Sequence, residues 1–165
     1  MSHSNYFAFA VLIGLATTIT SCSRDEVYSV SEKSRVSLNL RHFGIEQNAI
    51  TRATGTQDPH RIVFKAFDSS GKVAYETTQA SNQDGFGNLD FQLLPGEYTF
   101  VAVAHDVSAA ITDPTIAASI TSTSHATMPE ALVQDVFSKT MNVTINSGES
   151  FSADMTLPRI ISSFE

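Results

Sequence analysis

Tryptophan is missing from the 165 residues, and cysteine occurs once, at Cys22. A single thiol has no partner for an internal disulfide, so no disulfide framework holds this fold. Without tryptophan the chain lacks the flattest ring for stacking on sugars, which counts against a carbohydrate-binding face. Positive charge is scarce as well: 10 Lys and Arg stand against 17 Asp and Glu, a formal charge of −7. That balance argues against nucleic acid, which calls for a basic patch, and gives anionic lipid nothing to attract. Glycine-rich phosphate loops (G-x-G-x-x-G or the P-loop) and the G-x-S-x-G nucleophile elbow do not occur.

The longest uncharged apolar stretch, Tyr6 to Ile19 (YFAFAVLIGLATTI), is too short for a comfortable bilayer span. A span needs about 20 residues, whereas a signal-peptide core is shorter. Ile19-Thr20-Ser21-Cys22 follows it. An apolar residue and two small ones before a cysteine resemble a bacterial lipobox, cleaved between Ser21 and Cys22. The Cys22 thiol would then carry diacylglycerol through a thioether, and acyl chains contribute about 0.8 kcal/mol per buried methylene. The alternative is a free cysteine beside an ordinary secretory cleavage site, an unusual exposed thiol for an exported protein. Met1 to Asn5 carries no Lys or Arg, which departs from the usual positive start of a signal peptide. Ser23-Arg24-Asp25-Glu26 resembles the short acidic tag that sends Bacteroidales-type lipoproteins to the outer face of the outer membrane; as a bare sequence it also suits the start of a solvated linker. The expected layout is a signal at 1–21, a tether at 22–34 and one folded unit at 35–165.

Strand patterns dominate that unit. Arg35 to Arg41 alternates with period two and places Val36, Leu38 and Leu40 on one face. Arg61 to Phe67 is a second strand, with Ile62, Phe64 and Ala66 on one face and Val63 and Phe67 on the other. Asp68-Ser69-Ser70-Gly71 reads as a hairpin turn into Lys72–Tyr75, because Asp and Ser bond back to the local backbone. Leu89, Phe91 and Leu93 alternate, and Pro95-Gly96 turns into the longest strand pattern, Glu97 to His105. Ile111 to Thr127 shows no clean period. Met128-Pro129-Glu130 opens the one expected helix, running to Phe137. Thr140–Ile145, Ser150–Leu157 and Arg159–Phe164 are further strands, with Asn146-Ser147-Gly148-Glu149 as the hairpin joining the first two. About seven short strands with at most one short helix predict an all-β, antiparallel sandwich.

Three stretches in order resemble a known family: Arg61 to Lys72 (RIVFKAFDSSGK), Leu93 to Ala104 (LLPGEYTFVAVA) and Asp154 to Ile160 (DMTLPRI). Behind a lipobox and an acidic tag, this order is similar to the fimbrial anchor-subunit lipoproteins of Bacteroidales-type bacteria. The resemblance implies transthyretin-like sandwiches in tandem, of which this chain matches the N-terminal one. It also implies a surface-facing outer-membrane location, a fimbrial shaft subunit as partner, a role in adhesion or fimbrium assembly, no enzyme activity and no cofactor. A surface glycan- or nutrient-binding lipoprotein is the rival reading.

The remaining polar residues suggest little chemistry. His3, His42, His60, His105 and His125 show no metal-ligand spacing, and His105-Asp106 reads as a strand end. Asp84 to Asp90 has oxygen side chains near Ca²⁺-loop spacing but lacks the closing Glu, so a turn is expected. An internal isopeptide bond needs a buried Lys, an Asn and a catalytic acid in contact; Lys65 on the second strand could supply the amine, but the pattern does not fix its side-chain direction. Arg52, in the long polar loop of residues 44–59, is a protease-sensitive position whose cleavage would separate the lipid from the domain.

Overall fold

The computed structural model describes residues 32–41, 58–129 and 135–160. Among them are ten strands: β1 (Ser34–Arg41), β2 (Arg61–Asp68), β3 (Val73–Ala80), β4 (Asn88–Leu93), β5 (Gly96–His105), β6 (Ser119–Ser122), β7 (His125–Thr127), β8 (Val136–Ile145), β9 (Phe151–Thr156) and β10 (Arg159–Ile160). They form an all-β sandwich. One sheet has the order β4-β1-β9, the other β10-β8-β5-β2-β3, and β6-β7 is a separate hairpin.

The period-two patterns decide which faces meet. Val36, Leu38 and Leu40 of β1 and Leu89, Phe91 and Leu93 of β4 point inward against Ile62, Phe64 and Ala66 of β2 and Phe100, Ala102 and Ala104 of β5. Phe64 and Phe100 pack edge to face with ring centres 5.5 Å apart. Val63, Phe67, Val101 and Val103 face the other way and lie under Ala118 and Ile120. The β6-β7 hairpin thus covers the outer face of the five-stranded sheet, which explains why β2 and β5 read as near-continuous apolar runs. The outer face of the three-stranded sheet is polar and uncovered by any described residue.

Two turns carry special backbone. Gly71 has φ +82° in the β2-β3 turn, where the Asp68 carboxylate accepts from the Ser70 and Lys72 N–H groups. Gly87 combines φ +83° with a close approach to β1: a Cβ there would lie 2.9 Å from the Leu40 carbonyl oxygen, to which no room remains. The Leu40 N–H donates to the Gly87 carbonyl at 2.7 Å.

Three expectations need correction. Phe137 does not end a helix: it sits in β8, fully buried, with strand pairing on both sides; residues 130–134 lie outside the description. Asn146-Ser147-Gly148-Glu149 is not a hairpin within one sheet. It passes from β8 in the large sheet to β9 in the small one, where β9 pairs with β1 in parallel. Local turn chemistry looks alike in both cases, because Gly148 at φ +73° suits an arch as well as a hairpin. Every other strand pair is antiparallel, as the strand pattern predicts. Finally, the featureless Ile111–Thr127 stretch contains β6 and β7, preceded by a 3₁₀ turn at Ser108–Ile111.

Candidate functional site

The sandwich has two lateral flanks, and they are built differently. On one flank the edge strands are β3 and β4. Tyr75 and Phe91 stack across it with ring centres 4.1 Å apart and planes 3° from parallel. The Gln79 side chain adds two bonds: its amide donates to the Asn88 carbonyl at 2.9 Å and accepts from the Gly87 N–H at 2.8 Å. Gln83 Oε1 in turn accepts from the Ala80 N–H. The expected turn at Ser81–Asn88 is thus a flap stitched to β3. Asp90 instead grips Arg35 with both carboxylate oxygens, one of them at 2.8 Å from Nε. That hydrogen bond foremost holds the Asp90 carboxyl below its ordinary range.

The other flank lies between β8 and β9. Only Val136 and Phe137 of β8 pair with β10, and the Ser138 N–H donates to the Pro158 carbonyl at 3.2 Å. That N–H points away from β5. Backbone groups alternate along a strand, so Thr140, Asn142 and Thr144 also direct their N–H and C=O outward. No described residue pairs with them. Beside this edge Met141, Phe151 and Ala153 are partly buried against the core. An open groove of about 420 Å³ runs past Thr99, Asn142 and Thr144 toward Glu97 and Ser69. An unpaired strand edge over partly covered apolar side chains can accept an added strand: backbone bonds supply affinity and the apolar side chains supply register.

A third feature is a group of buried ionisable side chains at one end of the large sheet. Arg61 and His105 are register partners on β2 and β5. Arg61 donates to the Ala110 carbonyl and, at 3.1 Å, to that of Asp113, which pins the 3₁₀ turn over the sheet. Its pKa is lowered by burial. His105 is 0% exposed, and neither ring nitrogen makes a hydrogen bond to a described residue. Burial first, then the Arg61 charge, pushes its pKa below the ordinary value and keeps it neutral. Asp135, 1% exposed, forms an ion pair with Arg159 and so ties β10 to the start of β8. This arrangement holds structure together; the described residues contain no group of three His, Cys, Asp or Glu able to hold a metal ion.

The sequence-expected residues fare unevenly. Ser21, Cys22, Ser23, Arg24, Asp25, Glu26 and Arg52 all lie outside the described residues, as do His3 and His42. His105-Asp106 does end a strand, but both are buried. Lys65 Nζ lies 2.9 Å from a Glu76 carboxylate that is largely exposed, on the β2-β3 pair. An isopeptide amine needs a buried amide partner; Lys65 has a solvated ion-pair partner instead. Sequence reasoning missed the β8 edge and the Arg61–His105 and Asp135–Arg159 groups. The one available signal was Arg61 itself, a cation opening a strand that is apolar on both faces. No helix among the described residues is long and apolar enough to cross a membrane.

No protein-family model matches the chain, and no curated protein matches it. Among solved structures, a candidate polysaccharide-binding protein from Bacteroides thetaiotaomicron is 15% identical at TM-score 0.47, covering 76% of this chain and 46% of its own. A candidate adhesin from Bacteroides ovatus is 10% identical at TM-score 0.49, covering 77% and 46%. A fimbrial assembly protein from Parabacteroides distasonis is 15% identical at TM-score 0.33, covering 79% and 53%. The chain spans about half the length of these structures.

Proposed function

We propose that this chain is an outer-membrane lipoprotein that anchors or caps a fimbrial assembly at the cell surface. Cys22 carries the lipid after cleavage at Ser21-Cys22, and Ser23-Arg24-Asp25-Glu26 directs the protein outward. Residues 22–34 are the tether, and the sandwich docks a fimbrial shaft subunit without catalysis or a cofactor. The observation that carries the docking half is the outward-directed backbone of Thr140, Asn142 and Thr144 beside Met141 and Phe151. A strand from the partner adds to that edge, and backbone pairing then resists its removal. The membrane half rests on the lipobox.

The position of β1 bears on Arg52. β1 is the middle strand of its sheet, and the next described strand begins at Arg61. A cut after Arg52 leaves the lipid and β1 joined to the rest by noncovalent contacts alone. An anchor is therefore best kept uncut at this loop.

The glycan-binding rival calls for an exposed aromatic cluster. Phe64, Phe67 and Phe100 are buried, Tyr75 stacks on Phe91, and the exposed large apolar side chains among the described residues are Val73, Leu94 and Ile160. Surface pull-down of an epitope-tagged chain, compared with Cys22→Ala and read by mass spectrometry, tests the proposal. A fimbrillin-like partner should co-purify, and the alanine variant should shed filaments into the medium. Recovery of a transporter or glycan, with filaments unaffected, overturns it.

A further inference from the structure

We propose that the parallel β1–β9 ladder is a tension clamp: force drawn between the start of β1 and the end of β9 is borne in shear by all of its hydrogen bonds together. The clamp is a property of this pulling direction alone and does not rest on the anchor reading above, in which the partner loads β8 instead.

The argument begins with direction. β1 and β9 are direct neighbours and run parallel, from Val36 beside Phe151 to Arg41 beside Thr156. The chain enters β1 at Ser34 and leaves β9 after Thr156, so the two strands would be pulled from opposite ends of their common ladder. Bonds in a parallel ladder are evenly spaced and slant across the strand direction, so a lengthwise pull strains them all together. An edge strand lifted from one end instead loses its bonds one at a time.

Further features share the load. The Leu157 N–H donates to the Arg41 carbonyl at 3.4 Å and extends the ladder past its last register pair. At the opposite end the Ser34 hydroxyl, itself buried, donates to the Asn146 carbonyl at 2.7 Å, which ties the start of β1 to the turn leading into β9. On its other side β1 pairs with β4 from Ser34–Leu93 to Asn39–Asn88. Val36, Leu38 and Leu40 are buried, so sliding β1 lengthwise must also drag these side chains out of their sites in the core. β10 differs: it has two register pairs on the edge of the other sheet and would peel at low force.

Single-molecule force spectroscopy tests this directly, because rupture under load reports the unfolding barrier rather than the equilibrium stability. Attachment thiols are placed at exposed positions in the full mature chain carrying Cys22→Ser. One protein carries Lys33→Cys with Thr156→Cys, which loads the ladder from opposite ends. A second carries Lys33→Cys with Glu149→Cys, which loads it from the same end. Urea midpoints of the two proteins, compared first, establish that both fold equally well. The clamp predicts a rupture force several-fold higher for the opposite-end pair. Equal forces, or a weaker opposite-end pair, overturn it. Either result leaves the pull-down of a fimbrial partner undecided, since neither lipid nor partner is present.

Discussion

The two flanks of the sandwich solve one problem in opposite ways. Both end in strand edges, which invite unwanted pairing unless something covers them. On the β3-β4 flank a stacked Tyr75–Phe91 pair and the Gln79 amide bridge one sheet to the other. On the β8-β9 flank the chain passes from sheet to sheet at both ends, through Asn146–Glu149 and through Leu157-Pro158, while between them Phe151 of β9 reaches Phe100 of β5 with ring centres 6.3 Å apart. Met141, Phe151 and Ala153 are left half covered there. The difference teaches where the fold spends its side-chain contacts on closure and where it leaves backbone available.

The largest effect should come from breaking the sealed flank. Phe91→Ala removes a core ring that touches Tyr75, Phe64 and Phe100, and a loss of about 3–5 kcal/mol is expected in urea unfolding. Phe151→Ala on the open flank should cost clearly less, because that ring is only partly buried. Equal losses would erase the distinction between the flanks.

Next in size is Gln79→Ala. Two hydrogen bonds to the 81–88 flap disappear, for a loss of about 1–3 kcal/mol, with the Gly87 amide exchanging faster with deuterium. An unchanged exchange rate would mean that the flap is held by its backbone bonds alone.

Acid sensitivity sharpens the comparison from the buried end of the large sheet. His105 faces Arg61, with Asp106 and His60 also acting on it. Its folded pKa is lowered while the unfolded value stays at about 6.5, so the unfolded chain binds the proton more readily. Stability is therefore full above that value and falls as pH drops through it toward the lowered folded pKa. His105→Leu should flatten this part of the stability–pH curve; an unaltered curve would assign the acid sensitivity to other groups.

Much of the sandwich was legible in the sequence because it follows from period-two burial: Val36, Leu38 and Leu40 announce an inner face on their own. What was not legible depends on partners distant in the chain. The Asn146–Glu149 turn looks like a hairpin until β9 is seen beside β1, more than a hundred residues earlier. The β6-β7 hairpin, built from Ser, Thr and Ala, shows no period because only Ala118 and Ile120 of that stretch are buried against the sheet. The lipid site proposed at Cys22 rests on a sequence motif that needs no fold, whereas the β8 edge is a property of strand order that no local pattern carries. His105 reads as an ordinary strand end until Arg61 is placed beside it.

The smallest expected change in stability belongs to Asn142→Pro. The Asn142 N–H points away from β5, so proline removes no ladder bond; what is lost is the exposed hydrogen bond from the Thr99 hydroxyl to Asn142 Oδ1 at 3.1 Å, a cost of about 1 kcal/mol. That same substitution is the sharpest probe of the central claim, that a partner strand adds to the β8 edge. The measurement is recovery of the proposed fimbrial partner from cells carrying the tagged chain, its Asn142→Pro variant and its Gln79→Ala variant at matched surface levels. The account predicts that the partner is lost with Asn142→Pro and retained with Gln79→Ala. Full recovery with Asn142→Pro would contradict it and move docking away from this edge.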